Sequence, residues 1–330
     1  MKKRILFLLV CLANVAQAQD MHLSMYDASP LFTNPAMTGV VDADYRLHVQ
    51  YRTQWKSVNF KPYNSMLASF DMPFKKSKWS LGVQLSNFRA GSGNFNVLQG
   101  LISTSYNTPL DKKKNHGFSF GVQGGVTQKS LEYQLLSFNN QYSFYNGGYF
   151  DATLPSNENF GADRSLTPTV NAGLMYYYAK QQARFNPFIG FSAFNLLNSK
   201  ETFFDQENRL PMRYYLHFGS RINFSETFYL IPKVFMSMQK NMFETTVAGE
   251  FGYYLKGSDI HLLIGAIHRV NDAMVITGGL RMSNFILKMG YDLNVSRLST
   301  VSNGRGGFEI SLTYLNKKTE KVSEKICPRL

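Results

Sequence analysis

Apolar and polar residues alternate along most of this chain with a period of two. From Tyr45 to Arg52, Tyr45, Leu47, Val49 and Tyr51 share one face, and Arg46, His48, Gln50 and Arg52 share the other. From Trp79 to Ser86, Trp79, Leu81, Val83 and Leu85 oppose Ser80, Gly82, Gln84 and Ser86. From Phe118 to Thr127, Phe118, Phe120, Val122 and Val126 oppose Ser119, Gly121, Gln123, Gly125 and Thr127. Near the end, Phe308, Ile310, Leu312 and Tyr314 oppose Gly307, Glu309, Ser311 and Thr313. Successive strand side chains point to opposite faces, so each segment has one apolar face and one polar or small face. Weaker versions of the pattern predict strands near 64–73, 96–107, 168–179, 186–197, 212–223, 227–238, 243–254, 259–269, 273–282 and 284–293. Together these make fourteen strands, and an even number brings both termini to the same side of a closed sheet.

The connections alternate as well. Those at 73–78, 111–116, 180–184, 223–227, 256–259 and 283–284 are short and polar. The intervening ones include longer loops at 54–63, 87–94, 129–167, 198–211 and 294–304, although Val270 to Asp272 is short. A β-sandwich also alternates, but with strands of about 5–6 residues. Many segments here run nearer to the roughly 9–11 residues of a tilted membrane-crossing strand. No internal repeat of about 40–50 residues suggests a propeller. The expected fold is all-β: a 14-stranded antiparallel transmembrane β-barrel of outer-membrane type with an N-terminal plug segment.

Composition agrees. Charged residues make up 17% of the 330 residues and aromatics 15%. Few charges and many Phe and Tyr argue against disorder and suit strands that face lipid. At the N-terminus, Lys2, Lys3 and Arg4 precede an apolar run from Ile5 to Val15 and an Ala16-Gln17-Ala18 cleavage site. Residues 1–18 therefore read as a signal peptide. Its removal lowers the formal charge from +13 to +10 and leaves Cys327 as the lone cysteine, so no internal disulfide framework is expected. Beyond the leader, no run approaches the roughly 18 apolar residues of a membrane helix. The expected division is a signal peptide at 1–18, a plug or periplasmic segment at 19–43, a barrel at 44–315 with a long surface loop at 129–167, and a basic tail at 316–330. The expected location is an outer membrane, with both termini periplasmic and the barrel wall against the bilayer.

The polar faces should line the lumen, where Arg46, Arg52, Arg213, Arg221, Lys233 and Arg269 would be its cations. They fit either a lumen that attracts an acidic partner or structural ion pairs with Asp71, Glu244, Glu250 and Glu309. Signals for chemistry are weak. The six histidines, at 22, 48, 116, 217, 261 and 268, show no metal-ligand spacing, and there is no G-x-S-x-G elbow. No catalytic centre, cofactor or metal is expected, and the dispersed charge gives no reason to expect nucleic acid. The segment at 19–43 is more distinctive, with Tyr26, Asn34, Pro35, Ala36 and Gly39 in a run too apolar for a free tail. Within the long loop, Tyr142, Phe144, Tyr145 and Tyr149 offer either an apolar pocket or a docking surface. The tail reads equally as a solvated end or as a handle for another component, with Cys327 and Pro328 near its tip.

Several passages resemble the PorP/SprF family of type IX secretion membrane proteins from Bacteroidetes. They are Tyr26…Asn34-Pro35-Ala36…Gly39, Tyr51-Arg52-Thr53-Gln54-Trp55, Gly265-Ala266-Ile267-His268-Arg269 with Asn271-Asp272-Ala273, Gly290-Tyr291-Asp292-Leu293-Asn294, Gly307 to Leu312, and the ending Cys327-Pro328-Arg329-Leu330. Leu330 stands where the family usually has an aromatic residue. The resemblance implies a fourteen-stranded outer-membrane barrel that assists export of a particular secreted protein, or holds it at the surface through its type IX C-terminal domain. That partner is often a large adhesin, including the gliding adhesins of motile species, and other secretion components would be further partners. Fatty-acid transporters of the FadL type also combine fourteen strands with an N-terminal plug carrying Asn-Pro-Ala, so a porter of small apolar molecules is the alternative.

Overall fold

The computed structural model describes residues 22–56, 61–145, 148–159, 161–180, 183–201, 203, 208–296 and 299–316. The predicted signal peptide at 1–18 and the tail from 317 onward, with Cys327 and Pro328, lie outside the described residues.

Sixteen strands form in the described residues. They are β1 (Tyr45–Gln54), β2 (Tyr63–Pro73), β3 (Trp79–Ala90), β4 (Phe95–Pro109), β5 (His116–Ser130), β6 (Tyr142–Ser143), β7 (Tyr149–Phe150), β8 (Arg164–Tyr178), β9 (Phe185–Phe194), β10 (Arg213–Asn223), β11 (Phe228–Gln239), β12 (Met242–Leu255), β13 (Ile260–Arg269), β14 (Ala273–Met282), β15 (Phe285–Asn294) and β16 (Arg305–Asn316). The short strands β6 and β7 pair only with each other. The other fourteen form a closed antiparallel barrel, in which β5 pairs with β8 across the long loop and β1 pairs with β16 to close the wall. Every strand predicted from alternation is present. The ends differ by a few residues. β5 and β8 extend into the predicted loop, which shortens it to 131–163, and β9 stops at Phe194 because Asn195 turns into the left-handed region at φ 59°.

The barrel is apolar outside and buried-polar inside. On β1, Arg46, His48, Gln50 and Arg52 are buried while Leu47, Val49 and Tyr51 are exposed. The same inversion runs around the wall, with exposed Ile102, Ile264 and Ile276 on other strands. At the short-turn end, outward-facing aromatics gather into a band, including Tyr45 with Phe70, Trp79 with Tyr106, Phe228 with Phe251 and Phe285 with Tyr314. An apolar belt edged with aromatic residues is what a barrel needs to sit across a bilayer. No helix among the described residues is long and apolar enough to cross a membrane; the crossing is made by strands.

The lumen is less uniformly polar than expected. Around β1–β5 and β8 it presents Gln50, Ser69, Gln84, Ser103, Gln123 and Asn171. Around β9–β13 it also presents Phe188, Phe194, Tyr215, Tyr229, Ile231 and Leu263, all buried. On these strands both faces are apolar, which is why their alternation is weak in the sequence.

Candidate functional site

The chain's own N-terminal segment packs against the inner face of the barrel wall. Residues 22–41 run inside the barrel through a 3-10 turn at Tyr26–Ala28, one helical turn at Pro30–Thr33 and a second 3-10 turn at Pro35–Met37. Pro30 and Pro35 each stand at the first position of their turn, where the fixed φ of proline suits helical geometry and its missing N–H is not needed. Asn34 caps the second 3-10 turn, its Oδ1 accepting the Ala36 N–H at 2.9 Å. Gly39 takes a left-handed φ of +65° at the bend toward β1. Met25, Leu31, Asn34, Ala36 and Met37 are almost completely buried.

Glycines on the inner face of the wall make room for this segment. A Cβ at Gly121 would stand 2.3 Å from the Pro35 carbonyl oxygen, and one at Gly173 would stand 2.0 Å from Asn34 Oδ1. A Cβ at Gly190 would come within 2.8 Å of Asn34 Nδ2, and one at Gly82 within 2.9 Å of Leu31. Asn34 sits in the notch between Gly173 and Gly190, where its amide donates to the Leu174 carbonyl at 3.0 Å and meets His217 Nε2 at 3.1 Å.

Irregular backbone at membrane depth is stable only if the protein satisfies its polar groups. Here the wall's serines do so. Ser105 Oγ donates to the Thr38 carbonyl at 2.6 Å, Ser119 Oγ to Ala36 at 2.5 Å and Ser192 Oγ to Thr33 at 2.8 Å. Apolar contacts complete the fit: Ala36 and Met37 pack with Met175, Phe188, Tyr229, Ile231 and Leu263, and the ring of Tyr26 stacks on Phe235.

Charges tie the segment to the wall. Arg46 binds Asp71 through two nitrogens, each at 2.8 Å, and donates to the Met37 carbonyl at 3.2 Å. Asp27 lies between Lys233, at 2.5 Å, and Lys288, at 3.0 Å; Lys288 also binds Glu250 at 2.5 Å. Arg52 binds Asp292 at 2.7 Å and approaches Glu309 at 3.7 Å. The Ser24 hydroxyl donates to Asp292 at 2.6 Å, and its backbone N–H donates to Glu309 at 2.9 Å. Arg269 pairs with Asp272 and donates to Ser24 Oγ at 3.2 Å.

Arg46, Arg52, Lys233 and Arg269 form ion pairs, with Asp27, Asp71, Asp272, Asp292 and Glu309 as partners. Arg213 and Arg221 also face inward and lie over aromatic rings, Arg213 at 5.0 Å from the centre of Tyr215 and Arg221 at 3.8 Å from that of Tyr229, and Arg221 Nε donates to Asn223 Oδ1 at 2.9 Å. The roles of Asp27, Lys288 and Asp292 do not emerge from alternation alone. Lys288 and Asp292 nevertheless leave a sequence trace, as charged residues at inward positions of an otherwise apolar strand.

The predicted aromatic loop residues lie away from the lumen, on and beside the β6–β7 hairpin of the 131–163 loop. Phe144 is 87% exposed and Tyr145 81% exposed, while Tyr142 and Tyr149 are less so. Tyr142 packs edge-on against Phe144 and Phe150, at 5.2 Å in each case. Beside the hairpin, Asp151 accepts the Thr153 hydroxyl at 2.6 Å and its backbone N–H at 2.9 Å, which holds its carboxyl below the usual carboxylate range. No group of three or more His, Cys, Asp or Glu among the described residues is arranged to hold a metal.

Comparison with known proteins places this geometry. The P. putida toluene transporter TodX, in its deltaS2S3 mutant described as a monoaromatic hydrocarbon channel, aligns at 12% identity with a TM-score of 0.52, over 88% of this chain and 94% of that one. The toluene transporter TbuX of Ralstonia pickettii aligns at 10% identity with a TM-score of 0.52, over 88% of this chain and 93% of that one. At such identities the likeness is one of fold alone. Among curated proteins none matches the sequence. The family described as type IX secretion system membrane protein PorP/SprF matches residues 15–314. That span takes in the N-terminal segment and all but the end of β16, and the chain belongs to the PorP/SprF family of type IX secretion system membrane proteins.

Proposed function

We propose that this protein is an outer-membrane component of type IX secretion that binds one secreted partner through the partner's C-terminal domain. It assists the partner's export or holds it at the cell surface, and a large adhesin of the gliding type is the expected partner. Family membership supports the secretion role, and a membrane barrel of such a family fits an outer-membrane location. The observation that carries partner binding is the aromatic hairpin. Phe144 and Tyr145 stand almost fully in solvent on the longest loop, and exposed aromatic clusters are characteristic of protein-binding surfaces. In this reading the short-turn end faces the periplasm, the 131–163 loop faces outward, and the N-terminal segment acts as a plug. The tail beyond Asn316, with Cys327 and Pro328, is the handle for periplasmic secretion components.

Transport of small apolar molecules is the competing reading. It draws on the fold shared with toluene transporters, and an apolar lumen wall would suit it. That wall is already covered by Ala36 and Met37, which favours a binding scaffold over a conduit. Purification from outer membranes tests the two. A co-purifying secreted protein supports the scaffold, and stoichiometric bound lipid or hydrocarbon without one supports the porter.

A further inference from the structure

At the short-turn end of the lumen, beside the exit of the N-terminal segment, lies a cavity of about 100 Å³. Much of its wall is apolar, with Val40, Leu263, Ile286 and Leu315 among its residues. Several charged residues also face it, and nearly all are engaged. Arg46 is taken by Asp71 and the Met37 carbonyl. Lys288 is held between Asp27 and Glu250. Asp42 is engaged in contacts of its own. Arg281 is the exception: it lines the cavity, is 9% exposed, and has no hydrogen-bond or ion-pair partner for its guanidinium among the described residues. A cation that faces a cavity without a protein partner is free to take an anionic group, and a wall of this kind favours an apolar body beside it. We infer that this cavity binds a short aliphatic monocarboxylate, with the carboxylate on Arg281 and the carbon chain against Leu263, Ile286 and Leu315. Butanoate, a carboxylate on a three-carbon chain, is a short member of that class. The inference does not depend on the secretion reading.

The test uses the full chain purified in a non-ionic detergent, with calorimetric titration of butanoate and of butan-1-ol, its uncharged counterpart. The expected result is saturable one-site binding of butanoate, with the alcohol at least about tenfold weaker. Arg281→Met should abolish butanoate binding. Ile286→Trp fills the cavity and should abolish binding with Arg281 still present. Asp42→Asn should tighten binding by removing a like charge from the wall. Heat-modifiable mobility shows which variants are folded. Non-saturable binding of butanoate, equal affinity for the alcohol, or full binding by folded Arg281→Met or Ile286→Trp would overturn the inference.

Discussion

Arg46 and Asp71 face each other across β1 and β2 and form a two-point ion pair, with both contacts at 2.8 Å. The Asp71 carboxylate is completely buried and also accepts the Gly39 N–H at 2.7 Å. One pair thus joins two wall strands to the segment where it turns toward β1. Breaking one half of such a pair leaves an uncompensated buried charge, which costs about 3–5 kcal/mol. Asp71→Asn should show this loss in urea unfolding of the barrel in lipid vesicles. The double change Arg46→Met with Asp71→Leu should be milder than either single change, because no buried charge remains.

The glycine notches give a second expectation. A side chain at Gly121 would collide with the Pro35 backbone, which has no flexible end to move aside. Gly121→Val should push the segment off β5 and β8 while the barrel itself still closes. Limited proteolysis should then cut within residues 30–40, and single-channel recordings should show larger conductance than the parent protein. Gly278, where a Cβ would meet nothing within 4 Å, is the control site, and valine there should leave both readouts unchanged.

The serine donors give a third. Ser105, Ser119 and Ser192 each bond a carbonyl of the segment. Leaving a buried carbonyl unsatisfied costs about 1–3 kcal/mol. Alanine at all three should loosen the segment and speed amide exchange at Ala36 to Gly39, while exchange in β14, which none of these bonds reaches, stays slow.

The tail supplies a fourth expectation through its proposed role as a handle. Truncation after Asn316 retains every described barrel strand, since β16 ends at that residue. The truncated protein should still show heat-modifiable mobility, and partner export should fall. Normal export by the truncated protein would remove the handle from the account.

Much of the barrel was legible in sequence because inward residues are polar or small and outward ones apolar. This was clearest on β1, β3, β5 and β16. On β9 and β11, inward Phe188, Tyr229 and Ile231 weaken the alternation, because they pack against the segment rather than facing water. The ion pairs of Arg46 and Arg52 with Asp71 and Glu309 were foreseeable, as all four residues sit at inward positions. Asp27 was not, because its partners Lys233 and Lys288 lie 206 and 261 positions away and no periodicity links a loop to a wall. The purpose of the inward glycines was equally hidden: Gly121, Gly173 and Gly190 read as small members of polar faces until the segment's path is known.

The central claim, that the protein holds one secreted partner through its outward loop, is tested most directly by exchanging the two most exposed aromatics. A strain carrying Phe144→Ser and Tyr145→Ser in place of the parent gene should make a normally folded, membrane-inserted barrel. Quantitative proteomics of surface-shaved cells should then show one large type IX secretion substrate reduced at least about tenfold, the loss expected when interface anchor residues are removed, with the remaining substrates unchanged. Unchanged surface levels of every such substrate, in that strain and in a full deletion, would contradict the account.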